Sequence, residues 1–87
     1  MKYTLEILPS AERELAALPT KDRQRVDKQI CALAGDPRPV GMKALKGHKS
    51  VYRIRAGKYR VIYQVRDELL IVLVVKVGHR RDVYRRF

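Results

Sequence analysis

Three short runs between Val51 and Val77 follow one another with only two residues between each pair, which commits this part of the chain to an antiparallel meander. In Val51 to Ala56, Tyr52, Ile54 and Ala56 alternate with Val51, Arg53 and Arg55, the period of a strand. Gly57-Lys58 has the Gly-X form of a type II′ hairpin turn. Tyr59 to Arg66 alternates again, setting Tyr59, Val61, Tyr63 and Val65 against Arg60, Ile62, Gln64 and Arg66. Asp67-Glu68 reads as a second turn, and Leu69 to Val77 is almost continuously apolar, as in a central strand buried on both sides.

With Gly57-Lys58 as the loop, Ala56 pairs with Tyr59, Arg55 with Arg60 and Arg53 with Ile62. Directly opposite residues project to the same side of a sheet, so Arg53, Arg55 and Arg60 share a face. Folding the third run back pairs Arg66 with Leu69 and Lys58 with Val77, which predicts that Gly78-His79-Arg80-Arg81 emerges beside the hairpin end and joins the arginines. Like charges directly opposite destabilise a sheet. Arg55 facing Arg60 therefore points to a site built for an anion.

Upstream, Lys2 to Leu8 alternates Tyr3, Leu5 and Ile7 with polar residues, a strand that Pro9 should end. Ser10 is the predicted N-cap of a short helix carrying Glu12 and Glu14 in its first turns and Ala11, Leu15 and Leu18 on its apolar side. After Pro19, Thr20 is the predicted cap of a second helix with an apolar stripe of Val26, Ile30 and Leu33, and Cys31 is read as a packing residue. Gly35 to Pro39 stops it, and a loop from Val40 to Ser50 supplies Leu45 to the core. The expected fold is α+β in the order β-α-α-β-β-β, an antiparallel-rich sheet packed against an N-terminal helical hairpin, forming one domain over residues 1–87.

Charge is distributed very unevenly over this frame. From Pro37 to Arg66 there are nine basic residues (Arg38, Lys43, Lys46, Lys49, Arg53, Arg55, Lys58, Arg60, Arg66) and no Asp or Glu, and this stretch supplies most of the formal net charge of +11. A polyanion is the expected partner. Arginine suits phosphate because its planar fork donates two parallel hydrogen bonds to one group. Duplex DNA lacks a reading helix here, since the basic residues fall on strands, whereas single-stranded RNA is bound by phosphate contacts and aromatic stacking. The single Cys31 excludes an internal disulfide and a multi-cysteine zinc site. With no signal peptide and no apolar run approaching the ~20 residues of a membrane span, a cytoplasmic protein is expected.

The motifs Lys43-Ala-Leu-Lys-Gly47, Tyr52-Arg-Ile-Arg55, Gly57-Lys-Tyr-Arg-Val-Ile-Tyr63 and Val77-Gly-His-Arg-Arg-Asp-Val-Tyr84 resemble the RelE branch of the RelE/ParE toxin superfamily, as does the element order. That resemblance implies the toxin of a type II toxin-antitoxin pair, a ribosome-dependent endoribonuclease that cuts mRNA in the ribosomal A site without a cofactor or metal and is silenced by an acidic antitoxin. It implies catalytic roles for Arg53, Arg55 and Arg60, for Arg80 or Arg81, and for Tyr84 as a residue that stacks on an mRNA base. Arg38, Lys43, Lys46, Lys49 and Lys58 are expected to hold RNA or the ribosome. The best-known member has lysines where Arg53 and Arg55 stand, and an arginine is a poor general base.

Cleavage by a ribose 2′-OH needs a base, cations to stabilise charge on the phosphate, and an acid for the leaving 5′-oxygen. The arginines fit the second requirement. His79 is the one side chain of the set that exchanges a proton readily near neutrality. Two other functions fit the same fold, a ParE-like inhibitor of DNA gyrase and a non-catalytic RNA- or ribosome-binding domain.

Overall fold

The computed structural model describes residues 2–79, which run β1 (Thr4–Ile7), α1 (Pro9–Ala16), α2 (Thr20–Ala32), β2 (Lys43–Ala44), β3 (Val51–Ala56), β4 (Tyr59–Arg66) and β5 (Ile71–His79). The strands form one sheet in the order β1-β5-β4-β3-β2, antiparallel except for the β1–β5 pair. This is the expected α+β fold, with a short strand β2 added inside what reads as a loop.

Both helix starts differ from the sequence expectation in the same way. The strand ends ahead of Pro9 as expected, but Ser10 is not the cap: Pro9 is itself the first helical residue, with Leu8 as cap and no side-chain cap bond. Proline carries the φ of a helix start and lacks an N–H that would in any case be unpaired there. The Leu8 N–H instead extends the sheet ladder to the Val74 carbonyl at 2.9 Å, while the Leu8 carbonyl accepts from Glu12 at 2.9 Å. In α2 the cap is Pro19, again without a side-chain bond, and Thr20 is already helical.

Against one side of the sheet α1 and α2 bury Ala11, Leu15, Val26, Ile30 and Leu33, which meet Ile54, Ala56, Val61, Tyr63, Val65, Val72, Val74 and Val77. Each such fully buried aliphatic side chain stabilises the fold by roughly 1.5–3 kcal/mol. Tyr63 is fully buried, and its hydroxyl donates to the Pro37 carbonyl at 2.7 Å, which pins the chain leaving α2 to the centre of the sheet. Burial pushes that hydroxyl up to about 12. Cys31 lies outside the buried stripe and is exposed rather than packed.

The β3–β4 register matches the expectation pair for pair, including Arg55 opposite Arg60 and Arg53 opposite Ile62. Gly57 has φ +63° and Lys58 does not share the positive φ, as a type II′ turn requires. The β4–β5 register does not match. Asp67–Leu69 form a 3-10 turn and Leu70 takes the left-handed conformation (φ 53°, ψ 47°), so Arg66 pairs with Ile71 instead of Leu69. A bulge at Ile62/Tyr63 then shifts the ladder by one, giving Val61–Val77, Arg60–Gly78 and Tyr59–His79.

β5 outruns its parallel neighbour, since β1 ends where Ile7 meets Val74. Glu14 of α1 covers the exposed edge: one carboxylate oxygen accepts from the Val77 N–H at 3.1 Å and the other from Lys76 Nζ at 2.6 Å. On the face away from the helices β5 is only half-buried, contrary to the two-sided burial its apolar run suggests. Val51 and Ile62 are buried there, with Leu45 and Val75 packed on them, so Leu45 anchors this smaller cluster rather than the main core. No helix among the described residues is long and apolar enough to cross a membrane.

Candidate nucleic-acid interface

The face opposite the helices carries the arginines, and their exposure is graded. Arg53, between Lys43 on β2 and Ile62 on β4, is only 8% exposed. Arg60 is half-buried and Arg55, directly opposite it, is exposed. Beyond Arg60 in the sheet comes Gly78, so no side chain rises beside it on the β5 flank. The 16 residues of β3, its turn and β4 contain no Asp, Glu or His, which leaves these cations without a carboxylate on their own strands.

His79 is not among them. The bulge reverses which residues of β5 point toward the helices, placing His79 with Tyr59 on the helical side, their rings edge to face with centroids 6.1 Å apart. The Tyr59 hydroxyl donates to Asp22 Oδ2 at 3.2 Å, and burial together with that carboxylate raises its pKa. The expectation that His79 completes the arginine cluster is thereby corrected: the sheet lies between them. Arg80, Arg81 and Tyr84 lie outside the described residues.

The basic residues expected to hold RNA divide into two groups. Lys43 sits beside Arg53 on the same face, Lys46 and Lys49 are exposed in the segment leading to β3, and Lys58 is exposed at the hairpin turn. Arg38 is engaged elsewhere. Its guanidinium makes a two-point ion pair with Asp67 (Nη1–Oδ1 3.1 Å, Nη2–Oδ2 2.8 Å), donates from Nε to the Tyr52 hydroxyl at 3.3 Å and lies over the Tyr52 ring. Tyr3 adds a 2.6 Å hydrogen bond to the same Asp67 carboxylate, whose pKa falls to about 2, chiefly through the Arg38 hydrogen bonds and then that of Tyr3.

A cleft of about 350 Å³ opens along the outer edge of β3, lined by Gln29, Pro39, Val40, Gly41, Lys43, Arg53, Ile54 and Arg55. Gln29 and the Pro39–Gly41 corner are site residues that sequence reasoning misses. Gln29 precedes buried Ile30 on α2 and shares the cleft lining with Arg53, Ile54 and Arg55 of β3, a long-range juxtaposition that no local pattern announces. Among the described residues no three His, Cys, Asp or Glu side chains gather to hold a metal ion.

A two-helix layer on a five-stranded mixed sheet, with an arginine-lined open face, is the form of a small bacterial or archaeal toxin. The chain belongs to this class: residues 5–84 match the family of the ParE toxin of the type II toxin-antitoxin system, parDE. Its relatives place it in the RelE branch. Toxin RelG of Mycobacterium tuberculosis is 32% identical over 87 residues, covering 99% of this chain and 100% of that protein. The mRNA interferase toxin RelE of Escherichia coli is 33% identical over 88 residues, covering 97% and 92%. The toxin-antitoxin complex RelBE2 of M. tuberculosis contains a chain that aligns with a TM-score of 0.80 at 28% identity, covering 92% of this chain and 100% of its own.

Proposed function

We propose that this toxin is an endoribonuclease that cuts mRNA on the ribosome by attack of a ribose 2′-OH on the adjacent phosphorus. The 2′-oxygen–phosphorus bond forms as the phosphorus–5′-oxygen bond breaks, leaving a 2′,3′-cyclic phosphate and a 5′-hydroxyl. Arg53, Arg55 and Arg60 supply the charge stabilisation that the five-coordinate phosphate needs, a contribution that in preorganised sites reaches several kcal/mol. The observation that carries this reading is the register that sets Arg55 against Arg60 on an open face, in a hairpin that itself contains no carboxylate. The relative named as an mRNA interferase supports the substrate.

Proton transfer falls to a group other than His79, which lies across the sheet, and Lys43, paired with Arg53 on the same face, is a side chain able to take that role. Because cationic side chains carry the charge stabilisation, cleavage is expected to persist in excess chelator. The partner we infer is an acidic antitoxin that neutralises the basic face, as the relative crystallised in a toxin-antitoxin complex suggests.

The test is expression of the toxin followed by 5′-end mapping of cellular mRNA. Wild type should produce cuts in phase with codons. Arg55→Ala, an exposed position, should lower cleavage by about 10²-fold or more without changing the melting temperature. DNA breaks dependent on gyrase with intact mRNA would replace this reading with that of a gyrase poison.

A further inference from the structure

Arg53 is the most deeply placed charged residue among the described residues, 8% exposed, and none of their hydrogen bonds or ion pairs engages its guanidinium. Its nitrogens are not among the buried unpaired polar atoms of the described residues, so the stem is packed while the charged head stays in contact with water and is available to an incoming anion. No carboxylate from its own part of the chain can pair with it, since residues 37–66 contain none. The buried arginine lines the β3-edge cleft, whose rim adds Lys43 and exposed Arg55.

The rest of the cleft is of a different character. Ile54, Pro39 and Val40 form an apolar wall, with Val40 wholly exposed at its lip, and Gln29 brings an amide that can both donate and accept. β2 pairs only with Tyr52 and Arg53, so the outer edge of β3 is open from Ile54 onward and the cleft is entered from there. A volume of about 350 Å³ lies at the small end of ligand pockets. That suits one nucleotide of a single strand and excludes a stacked duplex.

We infer that this edge cleft is a nucleotide subsite for single-stranded RNA, in which Arg53, Lys43 and Arg55 hold a phosphate, Ile54 and the Pro39–Gly41 corner take the sugar and base, and Gln29 reads a polar edge. The inference rests on the reading of the arginine face as an RNA site. It adds that the strand leaves that face over the edge of β3 and that a residue of α2 contributes to sequence preference.

The test uses the isotope-labelled full chain, titrated in turn with inorganic phosphate, adenosine 5′-monophosphate and adenosine at matched ionic strength. Phosphate and the monophosphate should shift the Lys43 and Arg53 backbone amides saturably, only the monophosphate should also shift the Gly41 backbone amide and the Gln29 side-chain amide, and adenosine, lacking the phosphate anchor, should leave them all in place. Lys43→Gln, at an exposed rim position, should weaken monophosphate binding about three- to tenfold, as loss of one charge-assisted contact does. Equal shifts with adenosine, or none with any of the three, as expected of an edge that accepts a partner's peptide strand instead, would overturn the inference. The readout is independent of cleavage. Saturable shifts in a chain that cuts no mRNA would uphold the cleft and sink the nuclease reading, whereas mRNA cutting with these signals unmoved would sink the cleft alone.

Discussion

Asp67 joins three separated parts of the chain, taking hydrogen bonds from Tyr3 at the start of β1 and from Arg38 after α2, while itself standing at the β4–β5 turn. These contacts stabilise the ionised carboxylate and hold its pKa near 2, below the ordinary 3.8. The folded pKa is depressed, so the contribution is present above about pH 4 and is lost as pH falls through about 2. Asp67→Asn should therefore melt at a lower temperature than wild type at neutral pH, with the gap narrowing below pH 4 and closing near pH 2. Thermal scans of both proteins across that range check it. A gap that stayed constant to pH 2 would show that the carboxylate's charge is not what Arg38 and Tyr3 bind. The same geometry explains why Arg38 looks like an RNA contact in the sequence: the acid that claims it is 29 positions away.

At the scale of elements, α2 is placed rotationally by the stripe Val26, Ile30 and Leu33, with Cys31 one position round the helix on the exposed side. Ile30→Ala should destabilise the fold by about 2–5 kcal/mol, and Cys31→Ser should stay within about 0.5 kcal/mol of wild type; urea unfolding of the pair measures both. The stripe and the β3–β4 hairpin were legible because each rests on local rules, helical spacing in one case and a Gly-X turn in the other. The β4–β5 register was not. An Asp-Glu pair gives no sign of the 3-10 turn and left-handed Leu70 that replace a two-residue loop, and nothing in a run of valines marks where a bulge will fall. The turn moves the register by two residues and keeps the facing, whereas the bulge moves it by one and turns His79 from the arginine face to the helical face. The two-residue strand β2 is not legible in the sequence for a related reason: Lys43–Ala44 pairs with β3 next to Leu45, which packs on Val51 and Ile62, contacts that no local rule signals. Arg53, Arg55 and Arg60 were found together because they depend on the hairpin alone.

For the whole molecule, a net charge of +11 would by itself predict that every basic residue strengthens RNA binding through the general field. The structure supports a more selective distribution, with Lys43, Arg53, Arg55 and Arg60 on one face and Arg38 neutralised by Asp67. Counterion release separates these pictures, because log affinity for a single strand falls against log salt with a slope of about −0.7 per phosphate contacted. Four such contacts give a slope near −3. Arg55→Ala should make the slope shallower by about 0.7, while Arg38→Ala, although it removes a formal charge, should leave the slope unchanged and lower the melting temperature instead. Fluorescence anisotropy of a short single-stranded RNA between 50 and 300 mM salt, on the order of the range where such slopes are read, distinguishes the two. If both variants flatten the slope equally, binding follows net charge and the arginine face has no special standing.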